Sequence, residues 1–186
     1  METSKALLER RTIRKFTQSK IPKKTLEKLI EYACLSAFPA NINPLKFSII
    51  DDEKMLNDIF PLTKWAGYIP DGAPKENERP TAYIAIFGDK EIKENFGVES
   101  GAAITSMMLG AWELGIGSCW IGALKRDELM KLFKKSSEKY ELLYLLALGI
   151  PAQTSKAIKM TNSVKYFEDE NHVINVPKKS IEDVLI

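Results

Sequence analysis

At 186 residues and 45% hydrophobic content, the chain is the size of one compact domain, residues 1–186, with a sizeable core. Its 27 Lys and Arg against 25 Asp and Glu leave a net charge of +2, which excludes the broad basic field that binds nucleic acid or an anionic membrane surface. Cys34 and Cys119 form no C-x-x-C pair, no apolar run reaches the ~18 residues of a membrane span, and the opening Met-Glu-Thr-Ser-Lys lacks a signal-peptide core. A soluble, cytoplasmic protein with reduced thiols and no membrane or nucleic-acid partner is expected.

In chain order, Thr3 or Ser4 is placed to cap a short helix through Leu7 and Leu8 that delivers the run Arg10-Arg11-Thr12-Ile13-Arg14-Lys15-Phe16. Guanidinium forks and a hydroxyl in that run suit a phosphate, the plain alternative being a solvated basic face. Pro22 opens a second helix whose Leu26, Leu29, Ile30 and Ala33 lie on one face. Phe47 to Ile50 reads as a strand, Asp51-Asp52 as its turn or the next cap, and Leu56 and Ile59 as a brief helix. The segment from Pro61 to Pro80 holds too many breakers for a regular element and too many aromatics for an idle linker.

Thr81 to Phe87 is apolar enough to be a central strand covered on both faces. Glu99 to Leu114 is a helix apolar on nearly every side and closed by Gly115, so it needs cover all round, and its small residues would admit a second subunit. Ser118 to Ile121 reads as a strand, Arg126 to Phe133 as a short helix, and Leu142 to Leu148 as another buried strand. The tail suggests a hairpin at Asp169-Glu170-Asn171, then Val176-Pro177-Lys178-Lys179 and a last segment from Ile181 to Ile186.

Any Ser/His/Asp or Cys/His enzyme would have to use His172, the one histidine, which sits beside a turn. One histidine and two isolated cysteines fall short of a zinc set, and neither G-x-G-x-x-G after a strand nor a P-loop occurs. A chain without its own acid, base or metal points to a bound cofactor that carries the reaction.

Six separated pieces, in order, carry a resemblance. They are the Arg10 to Phe16 run, Asn41-Ile42-Asn43-Pro44-Leu45-Lys46-Phe47, Lys64-Trp65-Ala66-Gly67-Tyr68 through Arg79 to Ile84, Leu114 to Gly122 with its Ser-Cys-Trp-Ile-Gly end, Ala147 to Ala152, and Val176 to Asp183. In these the chain resembles the nitroreductase family of FMN-dependent oxidoreductases. The resemblance implies an α+β three-layer α/β/α sandwich around a central, mostly antiparallel sheet, assembled as an intertwined homodimer with FMN at the interface.

It further implies that Arg10, Arg11, Thr12 and Arg14 hold FMN, that Asn41 and Asn43 reach the flavin of the partner, and that Trp120, Ile121 and Gly122 pass their backbone near N5. Lys178 or Lys179 would complete the phosphate site. Phe38, in a loop where the family carries Pro-Ser-Gly-Ala, would line the substrate pocket with Trp65 and Tyr68. NADH or NADPH would be the reductant and a small molecule such as a nitroaromatic or quinone the acceptor, in a ping-pong cycle with no catalytic side chain. Relatives in the family dehalogenate, dehydrogenate or destroy flavin, and a flavin-sequestering protein with little turnover is the other class compatible with these residues.

Overall fold

The computed structural model describes residues 2–186. Its centre is a four-stranded antiparallel sheet in the order β1-β2-β4-β3, formed by Leu45–Ile50 (β1), Ala82–Asp89 (β2), Tyr140–Gly149 (β4) and Gly117–Ile121 (β3). Strand β2 is buried along its whole length, as its unbroken apolar run requires of a strand covered on both faces. Alternation then sorts its side chains: Ile84 and Ile86 join one cluster, Tyr83, Ala85 and Phe87 the other.

The first cluster is roofed by α2 (Lys23–Cys34) and α4 (Gly97–Glu113) through Leu26, Leu29, Ala103, Ile104 and Met107. Beneath the opposite face, α3 (Glu53–Ile59) supplies Ile59, and α5 (Arg126–Leu132) supplies Leu129 and Met130. This is the three-layer α+β sandwich that the resemblance implies. The C-terminal tail adds a second sheet in the order β5-β7-β6, in which Thr154–Lys159 (β5) runs parallel to Val173–Lys178 (β7), and Phe167–Glu168 (β6) pairs antiparallel with β7.

Local chemistry explains the element ends. Asp52 caps α3 by accepting from the Met55 amide at 3.0 Å. Gly115, at φ +73°, closes α4 in the left-handed conformation that favours glycine. The expected hydroxyl cap of α1 (Thr3–Glu9) does not form: Glu2 holds the N-cap position without a side-chain bond, and Thr3 lies already inside the helix. The expected tail hairpin forms between β6 and β7, where Asp169 accepts from the Asn171 and Val173 amides at 3.1 and 3.0 Å.

Between α1 and α2 the chain forms an extended arm that docks on one end of the central sheet. Thr12 bridges Ser118 of β3, the Ile13 amide donates to the Ser118 carbonyl at 2.9 Å, and the Thr17 amide donates to Ile150 at 2.8 Å. Ile13 and Phe16 are fully buried there against Gly117 and Gly149, which pair across β3 and β4. A Cβ on Gly149 would lie 2.7 Å from Phe16, and one on Gly117 2.9 Å from Ile13, so both positions need a residue without a side chain. Gly149→Ala should therefore destabilise the fold by about 1–3 kcal/mol, as overpacking of a filled core does, and release the arm. Urea unfolding checks this, and an unchanged midpoint would count against the seat.

Candidate functional site

The arm delivers its cations beside β3. Arg10 and Arg11 are consecutive, and burial, followed by the charge of Arg11, holds the Arg10 guanidinium below its ordinary value. Two adjacent guanidiniums that no carboxylate among the described residues bridges repel each other, which an anion would relieve. Arg11 spends its terminal nitrogens on its own helix end, donating to the Arg10 carbonyl and, at 2.6 Å, to the Leu8 carbonyl. Its Nε is buried without a hydrogen-bond partner.

Arg11 and Ile13 form part of the wall of a cleft of about 480 Å³, whose far side is Trp112 of α4 and the start of β5. That far side contributes Ser155, whose hydroxyl is likewise buried and unpartnered, and Lys156, whose ammonium stands 3.6 Å from Asp169. Two orphaned polar groups and a further cation facing one cleft match an oxyanion with several acceptor atoms.

Arg14 lies further along the arm. Its amide donates to Gln153 Oε1 at 3.0 Å, and its guanidinium sits 4.4 Å from the centre of the Tyr166 ring. Tyr166 in turn packs on Tyr68 with ring centres 5.1 Å apart, so Arg14 and Tyr68, far apart in sequence, are joined by one intervening ring. Trp65 stacks on Phe60 and donates from Nε1 to Thr63 Oγ1 at 2.7 Å. Thr63 bridges Leu124, which holds the Trp65–Tyr68 loop beside the exit of β3.

At that exit Trp120 is 38% exposed and packs edge-on against Tyr144, whereas Ile121 points into the opposite core layer. Arg126 fixes the backbone here by donating to the carbonyls of Gly122, Leu142 and Leu143, each at 3.1 Å. On the outer side of β3, among the described residues, no bridge follows Thr12–Ser118, so the backbone of Trp120 and Ile121 is an open sheet edge.

The other residues singled out by sequence stand apart from this cluster within one chain. Asn41 and Asn43 are exposed with φ of +52°, and Asn43 Nδ2 donates to the Asn41 carbonyl at 2.6 Å. Phe38 is half-buried and packs against the core cluster under α2. Lys178 pairs with Lys159 at the end of β7 away from Ser155, and Lys179 follows it. Sequence reasoning missed Gln153, Ser155, Lys156, Tyr166 and Arg126, which belong to no motif and come together only through the fold of the tail and α5. His172, at φ +58°, lies in the hairpin turn and contacts Glu168 at 2.7 Å. Among the described residues no group of His, Cys, Asp and Glu could hold a metal, and no helix is long and apolar enough to cross a membrane.

An open β-edge flanked by a cation-bearing arm thus stands at one end of an α/β/α sandwich. The chain belongs to the nitroreductase family: residues 2–182 match the family model described as "Putative TM nitroreductase". A "Putative NADH dehydrogenase/NAD(P)H nitroreductase" of Archaeoglobus fulgidus is 26% identical over 157 residues, spanning 81% of this chain and 86% of that protein. A solved structure of a "putative nitroreductase in complex with FMN" from Desulfovibrio desulfuricans superposes with a TM-score of 0.70 at 23% identity, covering 82% of this chain and 88% of that one. A nitroreductase family protein from Clostridium novyi NT gives 0.67 at 21% identity over 100% of both chains. At these identities the structural likeness shows the fold.

Burial pushes the Cys119 thiol up to about 11, with the nearby Arg14 charge only partly opposing it. A thiol ionises by losing a proton. From its ordinary 9.0 to about 11 the unfolded chain ionises there first, so stability attached to the neutral thiol is complete below 9.0 and declines as the pH rises through that window. Exposed Cys34 should react with a disulfide reagent at neutral pH while Cys119 stays protected, its rate climbing roughly tenfold per pH unit until the thiolate predominates. Equal reaction of both thiols in the native protein would contradict this environment.

Proposed function

We propose that residues 1–186 act as a single FMN-dependent oxidoreductase domain, which carries hydride from NADH or NADPH to a small oxidised acceptor such as a nitroaromatic or a quinone. The observation that carries this reading is the convergence of Arg11 Nε, Ser155 Oγ and Lys156 on one cleft beside β3, two of them buried and unpartnered. A phosphate monoester has the charge and the acceptor oxygens to satisfy all three. Family membership and the FMN complex of the Desulfovibrio protein support FMN as its bearer.

FMN, when bound, would supply a reversible carrier of a hydride, and with it of two electrons, the chemistry this chain's own side chains lack. The chain's own residues then have defined tasks. Arg10, Arg11, Thr12, Ser155 and Lys156 would hold the phosphate and its linker, whereas Lys178 and Lys179, at the other end of β7, would reach such a site only from a second copy. Arg14, whose guanidinium rests on Tyr166, would supply positive charge that favours an anionic reduced flavin. The edge backbone of Trp120, Ile121 and Gly122, braced by Arg126, gives the ring a fixed polar border.

Trp65 and Tyr68 would form the wall on the acceptor side, whereas Phe38, packed on the opposite face of the sheet under α2, would line such a site only from a second copy. Asn41 and Asn43 have no role inside their own protomer and would serve the site of a second copy. Val98, Ala102, Thr105, Leu109 and Trp112 follow a helical stripe of α4 that the single chain leaves wholly or partly exposed, which supports a homodimer.

Arg11→Ala should weaken FMN by about tenfold or more, because a charge-assisted hydrogen bond contributes roughly 1.5–3 kcal/mol, and it should lower NADH- or NADPH-driven acceptor reduction in proportion to flavin loss. Flavin fluorescence titration measures the first effect, and unchanged affinity would remove Arg11 from the site. Light scattering should give twice the 21.0 kDa chain mass. A flavin-loaded monomer with full turnover would overturn the shared site.

A further inference from the structure

On the face of the sheet opposite α2 and α4 lies a second, more enclosed cavity of about 270 Å³, which shares no residue with the cleft beside β3. Its deepest polar groups are Tyr83, fully buried on β2, and Arg79, just ahead of that strand. The Tyr83 hydroxyl and Arg79 Nε are both buried and both without a hydrogen-bond partner.

Arg79 is nonetheless held in place. Its guanidinium lies 4.2 Å from the centre of the Phe60 ring, Nη1 reaches Asn57 Oδ1 only at 3.5 Å, and its carbonyl accepts from Gln18 Nε2 at 3.2 Å. What this arrangement leaves unused is an N–H fork beside a phenol that burial keeps protonated. A carboxylate accepts from both: two oxygens on the guanidinium, one shared with the hydroxyl.

The rim sets a second requirement. Asp51, Glu53 and Glu76 border the cavity, are exposed, and form no salt bridge with any described residue, and these three carboxylates outnumber the two cations of the lining, Lys20 and Arg79. A bare carboxylate would add to this excess of negative charge. A ligand that also carries an ammonium would offset it. Leu56, Phe60 and Pro80 supply an apolar wall between floor and rim.

We propose that this cavity binds a small zwitterion of the α-amino-acid type, with its carboxylate on Arg79 and Tyr83, its ammonium toward the acidic rim and an apolar side chain against Phe60. The binding step is non-covalent and separate from hydride transfer.

The test uses the purified protein with the flavin it carries and L-leucine as the probe, with affinities of parent and variants measured by isothermal titration calorimetry and the site located in the parent through shifts of the Arg79 Nε–H resonance in 15N-labelled material. L-leucine should give saturable shifts, and its two halves, 4-methylpentanoate and 3-methylbutylamine, should each bind at least about tenfold more weakly, since each satisfies one charged end. Arg79→Lys should cost about tenfold in affinity through loss of the fork, and Tyr83→Phe about fivefold. The Tyr83→Phe variant, which removes an unsatisfied hydroxyl, should melt no lower than the parent and so keeps the test free of a folding artefact. Absence of saturable L-leucine shifts, affinity unmoved by both variants, or a soaked crystal with only a water between Arg79 Nε and the Tyr83 hydroxyl would each overturn the proposal.

Discussion

The pairing of Gly117 with Gly149 across β3 and β4 is the contact on which the arrangement depends. Where two strands meet with no side chain on either, the sheet end has a shallow seat, and Ile13 and Phe16 fill it to complete burial. The arm could not lie so close to the backbone over any larger residue. Because the Ile13 amide also bonds to Ser118, the backbone that carries the cations from Arg10 to Lys15 is tied to the central sheet. A basic run on a free segment would be a solvated face; the same run pinned on both sides of Arg14 is held in one arrangement beside β3.

Hydrogen-bond accounting distinguishes the cleft that this run borders. Buried polar atoms are nearly always satisfied, so Arg11 Nε and Ser155 Oγ, both orphaned at one cleft, are the observation on which the proposed phosphate seat rests. The same reasoning applied to the opposite face singles out Arg79 and Tyr83. Lys93 and Glu99 show the contrast. Glu99 is fully buried at the start of α4 and its Oε1 pairs with Lys93, and although its Oε2 is also without a hydrogen-bond partner, it lines neither cavity, so an orphaned atom gains meaning only where it borders a cavity.

Much of the architecture was legible in the sequence because apolar periodicity follows directly from burial. The runs ending at Phe87 and Leu148 extend by only a residue or two as β2 and β4, and the expected Glu99–Leu114 helix lies at Gly97–Glu113. The second sheet was not legible. Strand β5, Thr-Ser-Lys-Ala-Ile-Lys, is largely exposed and acquires its partner β7 from some twenty residues away, in parallel, with no local signal. The residues missed at the site share that origin: Ser155 and Lys156 lie on β5, and Tyr166 in the connection after it. The Arg run was legible as anion chemistry, but only the fold distinguishes Arg11, with a free buried nitrogen, from Arg14, whose guanidinium rests on an aromatic ring.

One continuous arm touches both cavities: Arg11 and Ile13 border the cleft beside β3, Gln18 and Lys20 the cavity around Arg79. Continuity of chain does not by itself couple two sites; coupling needs an element with two alternative arrangements that both ligands bias. Between the two ends the arm is fixed by Phe16 against Gly149, by the Phe16 amide on the Glu78 carbonyl at 2.9 Å, and by the Thr17 amide on Ile150 at 2.8 Å. Sliding the arm would break these bonds together and force a filled aromatic site open, at a cost of several kcal/mol for the buried ring alone. A ligand held by a few surface-rimmed contacts does not supply that difference, so the arm acts as a fixed wall common to two separate sites rather than as a lever between them.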